Sequence, residues 1–286
     1  MSTLREILVE TEGVLSRAGV DSPRLSAELM AAQALGLSRT QVLLDLNRVL
    51  SPDEARAIRT LAARRGQGEP AAYILGQREF YGLDFSVSPD TLIPRPETET
   101  LIEAALSAFS SCDSLRFLDM GTGSGTLAVT LAHLFPEAQG LAMDLCPRAL
   151  GVARENARRH GVADRLAFVR ADFSRPLVRP GLLDLVVANP PYLSEAEFGE
   201  ISPEVSGFEP RQALVAGPRG DECLEGLIPL AGQALAPGGL LLLEFGWTQG
   251  PRALEIIARS GLFVSAEVRR DMAGLDRMAW AKRQAW

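Results

Sequence analysis

Asn189-Pro190-Pro191-Tyr192 sets hydrogen-bond acceptors and an aromatic ring at the end of an apolar run, Leu182-Leu-Asp-Leu-Val-Val-Ala188. The run reads as a buried strand. Two successive prolines neither continue a strand ladder nor enter a helix interior. The chain therefore stops there, with an Asn amide and free carbonyls facing the space beyond the strand end. In open α/β sheets ligands bind in that space. The Asn189 oxygen and the Pro190 carbonyl are two acceptors aimed at one point, which suits an NH2 group and its two N–H donors. The Tyr192 ring can cover the flat face of an amide or a base. The bare alternative is a rigid turn, because an Asn-Pro step is a turn signal by itself.

A second constellation lies upstream, in Phe117-Leu-Asp-Met-Gly121-Thr122-Gly123-Ser124-Gly125. Glycines between a strand and a helix allow a tight turn and close backbone approach to a ligand. Dinucleotide, phosphate and S-adenosylmethionine sites all use such turns. The spacing is Gly-x-Gly-x-Gly, not the dinucleotide Gly-x-Gly-x-x-Gly, and no Gly-Lys-Ser/Thr follows. Asp119, two residues before the first glycine, would repel a pyrophosphate and attract a sulfonium or an ammonium group. These features favour S-adenosylmethionine. Asp144 ends the next strand, where a carboxylate can take both ribose hydroxyls. Asp172-Phe173 ends the third; Asp172 or its backbone can meet the adenine amino edge, and Phe173 can pack on the purine. Read singly, Asp119 and Asp144 are also ordinary strand-end or capping residues, and Phe173 an ordinary core aromatic. Their succession at consecutive strand ends after a glycine loop is what favours the cofactor reading.

The elements that must position these groups can be read from periodicity. Residues 1–67 read as a helical bundle. Leu4, Ile7, Leu8, Thr11 and Leu15 follow helical spacing. Asp21-Ser22-Pro23 reads as a cap and first turn ahead of Leu25, Leu29 and Ala32. Ser38 precedes Val42, Leu43 and Leu46, and Ser51-Pro-Asp-Glu54 has capping-box spacing. Residues 68–93 read as a β-hairpin linker, with Tyr73-Ile-Leu, Glu79-Phe-Tyr and Phe85-Ser-Val as its extended segments. Residues 94–286 form the third region. Strands are expected at Arg116–Asp119, Gly140–Asp144, Leu166–Arg170, Leu183–Ala188 and Leu240–Phe245, with helices between them. That alternation implies a mostly parallel, doubly wound sheet. Leu262–Val268 and Arg277–Ala281 flank Asp271-Met-Ala-Gly274 and read as an antiparallel C-terminal hairpin. Arg64-Arg65, Arg158-Arg159 and Arg269-Arg270 read as solvated faces.

Composition narrows the chemistry. The 286 residues include 47% apolar side chains and carry a formal charge of −7. A general nucleic-acid binder is usually basic. Three separated cysteines and two histidines, His133 and His160, argue against a disulfide framework, a metal site or a His-dependent triad. No apolar run of about 18 residues is present, and Met1-Ser-Thr-Leu-Arg-Glu lacks a signal-peptide pattern. The expectation is a cytoplasmic monomer without metal, membrane or direct nucleic-acid contacts.

With Asp-x-Gly-x-Gly-x-Gly, the second-strand Asp144 and Asn189-Pro-Pro-Tyr192 in this order, the chain resembles class I S-adenosylmethionine-dependent amino-methyltransferases. Within them it is similar to the release factor glutamine methyltransferases. Gly68-Glu-Pro-x-x-Tyr73-Ile-Leu-Gly76, Leu92-Ile-Pro-Arg-Pro-Glu-Thr-Glu99, Glu244-Phe-Gly246 with Gln249, and Arg270-Asp-Met-Ala-Gly-x-Asp-Arg277 carry that closer match. The resemblance implies a seven-stranded sheet and a small N-terminal helical domain for substrate recognition. It implies methyl transfer to the glutamine N5 of the Gly-Gly-Gln motif in release factors, with S-adenosylhomocysteine as product. It also implies that Gly121 to Gly125, Asp144, Phe173 and Asn189 contact the cofactor, and that Asn189, Pro190, Pro191 and Tyr192 hold the substrate glutamine. Two features depart from the family pattern. Phe173 stands where Trp is usual, and Ala216 to Gly226 is longer than the common form.

Two other readings use the same residues. An N6-adenine methyltransferase acting on DNA or RNA would bring a flipped base into the same amine-binding corner. The acidic balance and the absence of a large insertion after Tyr192 disfavour it. A non-catalytic cofactor-binding scaffold would not need Asn189. Arg95 and Glu97 either order the mouth of the site or form a solvated ion pair.

Overall fold

The computed structural model describes residues 2–285. In chain order the elements are α1 (Leu4–Arg17), α2 (Pro23–Leu35), α3 (Arg39–Leu44), α4 (Pro52–Gly66), α5 (Ala71–Leu75), β1 (Gln77–Phe80), β2 (Leu83–Ser86), α6 (Glu99–Ala108), β3 (Arg116–Met120), α7 (Thr126–Leu134), β4 (Gln139–Asp144), α8 (Pro147–Arg159), β5 (Leu166–Arg170) and β6 (Leu183–Ala188). They continue with β7 (Leu193–Ser194), α9 (Glu195–Phe198), α10 (Pro203–Phe208), β8 (Val215–Gly217), α11 (Glu222–Ala234), β9 (Leu235–Glu244), α12 (Gly250–Ser260), β10 (Phe263–Arg270) and β11 (Asp276–Arg283). The chain divides into two compact units. One runs through Gln77 and includes Ser202–Phe208; the other takes Arg78–Ile201 and the chain from Glu209 on.

In the first unit, α1 buries Leu4, Ile7, Leu8, Thr11 and Leu15, the stripe its spacing predicts. Reciprocal capping boxes start α3 at Ser38/Gln41 and α4 at Ser51/Glu54, each worth about 0.5–2 kcal/mol. A third, Thr3/Glu6, starts α1. α2 differs from expectation. Ser22 is left-handed and makes no side-chain cap. Leu25 is exposed and Leu29 half-buried; of the expected stripe Ala32 is buried, and the rest of the buried face holds Ala27, Met30 and Ala31. The reason is Glu28, buried on that face and paired with Arg24 at 2.7 Å and Arg39 at 2.8 Å. A buried carboxylate needs such partners, and satisfying it turns the helix away from the leucine stripe.

Tyr73-Ile74-Leu75 is not extended either. These residues close α5, which starts after Pro70 and ends at left-handed Gly76. The hairpin is confined to β1 and β2, joined through Tyr81 (φ 50°) and Gly82 (φ 76°). Paired positive φ values are those of the tight hairpin turn that matches strand twist. Phe80 and Phe85 from it are buried in the second unit's core. Arg65 is not on a solvated face. It is buried, donating to the Glu69 carbonyl at 3.0 Å and to Glu204 of α10 at 2.8 Å.

The second unit is a seven-stranded sheet in the order β10-β11-β9-β6-β3-β4-β5. The pairs from β9 to β5 are parallel, and β10 and β11 close the far edge antiparallel. Its central strands are buried on both faces, as parallel sheets require. Phe117, Leu185, Val187, Leu240 and Leu242 meet α6 and α7 on one side. Leu118, Met120, Val186, Leu241 and Leu243 meet α11 and α12 on the other. From β3 the chain winds outward through β4 and β5, then returns to β6 on β3's opposite flank. The strand order therefore reverses between β3 and β6, where ligands bind in such sheets. No helix among the described residues is long and apolar enough to cross a membrane.

Candidate active site

A cavity of about 380 Å³ opens at the carboxyl ends of the strands flanking that reversal. Registers put its parts level with one another. Met120 of β3 pairs with Ala188 of β6, and Ala188 pairs with Leu243 of β9. The next residues, Gly121, Asn189 and Glu244, thus leave three adjacent strands at one height.

The glycine loop follows β3. Gly121, Gly123 and Gly125 have φ of 84°, 55° and 83°, conformations that side-chain-bearing residues rarely adopt. The N–H groups of Gly121 and Thr122 donate to the Met143 carbonyl at 3.0 and 2.8 Å. Asp144 binds the loop from the next strand end. Its Oδ2 accepts from the Gly123 N–H at 2.9 Å and its Oδ1 from the Cys146 N–H at 2.8 Å.

Asp119 lies beneath the loop and is buried. Its Oδ2 accepts from the Thr122 hydroxyl at 2.6 Å and the Ala128 N–H at 3.1 Å, while Oδ1 has no partner among the described residues. Burial pushes its carboxyl up to about 7; the two hydrogen bonds pull it down, and the Asp144 charge adds a smaller upward push.

Asn189 donates from Nδ2 to the Thr98 hydroxyl at 3.0 Å. The Thr98 hydroxyl also lies within reach of the Glu244 carboxyl and pulls its pKa down. Burial is the main cause pushing Glu244 up to about 7, opposed by the Thr98 hydrogen bond and the Arg277 charge. Tyr192 is pushed up to about 12, first by burial and then by the negative Glu244, so its phenol stays neutral. Its carbonyl accepts from Gln249 Nε2 at 2.9 Å. Gln249 also donates to the Gly220 carbonyl at 2.9 Å and accepts from the Gly246 N–H at 3.0 Å. One side chain therefore ties together the loops after β6, β8 and β9. The long segment Ala216 to Gly226 is fixed there and by Asp221, which pairs with Arg219 and Arg252 at 2.8 Å each.

Of the residues singled out in the sequence, Asp119, Gly121, Thr122, Gly123, Ser124, Asp144, Phe173, Asn189 and Pro191 line the cavity. Gly125, Asp172, Pro190 and Tyr192 are not among its lining residues. Asp172 caps its own turn, accepting from the Ser174 N–H at 2.8 Å. Pro190 is buried. Arg95 also lines the cavity; it pairs with buried Glu209, not Glu97. Glu209 further accepts from the Ile93 N–H at 3.0 Å. No cluster of His, Cys, Asp or Glu among the described residues is arranged to hold a metal ion.

A family model described as "PrmC N-terminal domain" matches residues 6–76, and one described as "Methyltransferase small domain" matches residues 98–202. The release factor glutamine methyltransferase of Nitratidesulfovibrio vulgaris is 50% identical over 283 residues, spanning 99% of this chain and 96% of that protein. That of Moorella thermoacetica is 42% identical and spans 99% of both chains. That of Geobacter sulfurreducens is 39% identical, over 96% of this chain and 95% of that protein. The chain belongs to the release factor glutamine methyltransferase family.

Three residues that position this methyltransferase's site were given no role by the sequence, although Thr98 and Gln249 lie in stretches that carry the family resemblance. Thr98 sits inside the Ile93 to Glu99 stretch but carries no site signal by type. Gln249 acts across 57 residues of chain. Asn156 of α8, fully buried, donates to the Ser86 and Ser124 carbonyls at 3.0 and 2.8 Å and accepts from the Ser86 N–H at 2.8 Å. It thereby clamps the glycine loop to β2. A lone polar residue on the inward face of a helix is the only hint the sequence offers for it.

Proposed function

We propose that this chain transfers the methyl group of S-adenosylmethionine to the side-chain amide nitrogen, N5, of the glutamine in the Gly-Gly-Gln motif of release factors, leaving S-adenosylhomocysteine. The observation that carries this reading is the orientation of Asn189. Its NH2 edge is engaged by Thr98, so its Oδ1 is the acceptor left for a ligand's N–H.

The residues fit the methyl donor. Asp119 Oδ1 is a buried carboxylate oxygen without a partner, beside a loop of left-handed glycines. Such an oxygen suits a cation, and the glycines suit close backbone approach. Gly121 to Gly125 would cradle the amino-acid end and Asp144 would take the ribose hydroxyls. Phe173 would pack on the purine; its neighbour Asp172, turned into its own cap, serves the adenine edge through backbone at most. When bound, S-adenosylmethionine supplies an electrophilic methyl group on a sulfonium.

A glutamine amide nitrogen is a poor nucleophile, because its lone pair is delocalised into the carbonyl. Asn189 Oδ1 and the Pro190 carbonyl would accept its two hydrogens and hold it in line for attack. Near-attack positioning of this kind supplies roughly 7–11 kcal/mol. Tyr192, kept neutral, would pack against the amide plane, with Pro191 at the cavity wall. The alkylated amide is strongly acidic, so water suffices as proton acceptor and no histidine is needed. In this reading residues 1–67 recognise the release factor.

The test is transfer of a labelled methyl group from S-adenosylmethionine. The label should enter an intact release factor, and should not enter one whose Gly-Gly-Gln glutamine is replaced by alanine. Label entering adenine-containing oligonucleotides instead would favour the N6-adenine reading.

A further inference from the structure

We infer that Thr98 and Glu244 are positioning residues, which fix which edge of the Asn189 amide faces the cavity. The inference rests on the reading of Asn189 as the group that accepts the substrate's N–H.

An asparagine amide has two edges of nearly identical shape and opposite function. With Oδ1 toward the substrate it accepts from an NH2 group. Flipped, it would present two donors to two donors and reject the same substrate. Shape does not choose between these states, so a neighbour must.

The choice is made by a short directional chain of hydrogen bonds. Glu244 ends β9 one strand over from β6, level with Asn189. Thr98 ends a short 3-10 turn, Pro96–Thr98, and leads into α6. Both residues are buried, at 1% and 5% exposure, and of the two only Thr98 reaches the cavity wall. A carboxylate can only accept, so the single Thr98 proton goes to Glu244. The Thr98 oxygen is left with lone pairs only, and it receives Asn189 Nδ2 at 3.0 Å. The amide oxygen then points away from Thr98. If Asn189 were flipped, Oδ1 would face a hydroxyl whose only proton is already committed. The acceptor-only character of Glu244 is thus transmitted through one hydroxyl to the substrate-facing edge.

Neither residue needs to touch the substrate for this. Glu244 is not among the residues lining the cavity. Its other oxygen, Oε2, is buried without a partner among the described residues. Evolving such an arrangement for packing alone would favour an apolar side chain at this position.

Thr98→Val keeps the shape and removes the hydroxyl. Its kcat for release-factor methylation should fall about 10- to 100-fold, the loss typical of a misplaced reacting group. S-adenosylhomocysteine affinity should stay within about twofold, because no cofactor-holding residue changes. Thr98→Ser should recover most of the rate. Glu244→Gln, whose amide can donate as well as accept, should lose rate although it is nearly isosteric. A Thr98→Val variant as fast as the parent would overturn the inference, as would a Thr98→Ser variant no faster than Thr98→Val. Neutron diffraction of the parent protein supplies a readout independent of turnover. It should find the hydroxyl deuteron of Thr98 directed at Glu244 and both amide deuterons of Asn189 on the atom nearest Thr98; the opposite assignment would overturn the inference. A parent enzyme that methylates no release factor, while the deuterons lie as described, would instead sink the functional reading and leave the directional chain standing.

Discussion

The Asn189 side-chain amide donates to the Thr98 hydroxyl at 3.0 Å, across 91 residues of chain. That bond uses one of the two Asn189 N–H donors and turns Oδ1 away from Thr98, leaving it free to accept. Asn189→Ala should therefore keep the fold and most of the affinity for S-adenosylmethionine while losing at least about 100-fold in turnover. Calorimetry for binding and steady-state methyl transfer for rate separate the two. Loss of binding and rate together would mean that Asn189 serves the cofactor more than the acceptor amide.

Asp119 gives a prediction with opposite signs for stability and binding. Its folded-state carboxyl sits near 7 because burial disfavours the charge. A group raised in this way contributes its stability below the ordinary carboxylate range and loses it as pH rises through about 7. Asp119→Asn removes that loss, so it should be more stable than the parent at pH 8, by up to about 3 kcal/mol. It should also bind S-adenosylmethionine more weakly. In the parent, affinity for the cationic donor should rise as pH rises through about 7. Denaturant melts and calorimetry across pH 5.5–8.5 check both; a variant destabilised at pH 8 with unchanged binding would contradict them.

Glu244 sits near 7 for the same reason, among Thr98, Arg277, Arg95 and Glu97. Once protonated it can donate to Thr98, and the direction of the hydrogen-bond chain is no longer fixed. At saturating S-adenosylmethionine, kcat should fall as pH drops below about 7, with little change in release-factor KM. A kcat flat from pH 8 to 5.5 would count against this. The saturating donor separates this effect from that of Asp119, which acts on donor affinity.

Gly220 has a φ of 90°, and a Cβ added there would lie 2.8 Å from the Tyr192 carbonyl oxygen and 2.9 Å from the Ser194 nitrogen. Both are backbone atoms of the segment that follows Asn189, so relief must move the site itself. Gly220→Ala should cost on the order of 1–3 kcal/mol and reduce turnover more than donor affinity. Thermal melts with parallel kinetics test this; an unaffected rate would show that the loop and the site move independently.

Asn156→Ala should leave the Ser86 N–H and the Ser86 and Ser124 carbonyls without their partner. Each unsatisfied buried group costs about 1–3 kcal/mol. Because Ser124 belongs to the glycine loop, the KM for S-adenosylmethionine should rise along with the loss of stability. Destabilisation with an unchanged KM would limit Asn156 to holding the hairpin.

Local signals in the sequence carried the parts of the fold that local physics decides. Alternating apolar strands, the α1 stripe and the capping boxes at Ser38 and Ser51 all depend on neighbours within a few residues. So did the glycine loop and Asn189, because chain-stopping prolines and left-handed glycines announce themselves. What failed depended on distant partners. Leu25 lost its place in the core to a face organised by buried Glu28 and its arginines. Tyr73 to Leu75 have strand-forming side chains, yet the bracket of Pro70 and Gly76 makes them helical. Arg65 reads as solvated until Glu204 arrives from a segment more than a hundred residues later. Thr98, Asn156 and Gln249 position the site through bonds that reach across 29 to 91 residues, and no periodicity encodes those.

The most direct measurement is tandem mass spectrometry, supported by proton NMR, of the Gly-Gly-Gln peptide from a release factor incubated with this protein and S-adenosylmethionine. One added methyl group on the glutamine side-chain nitrogen, absent when Asn189→Ala replaces the parent, is the expected result. An unmodified glutamine, or a methyl group placed on any other atom, would contradict the account.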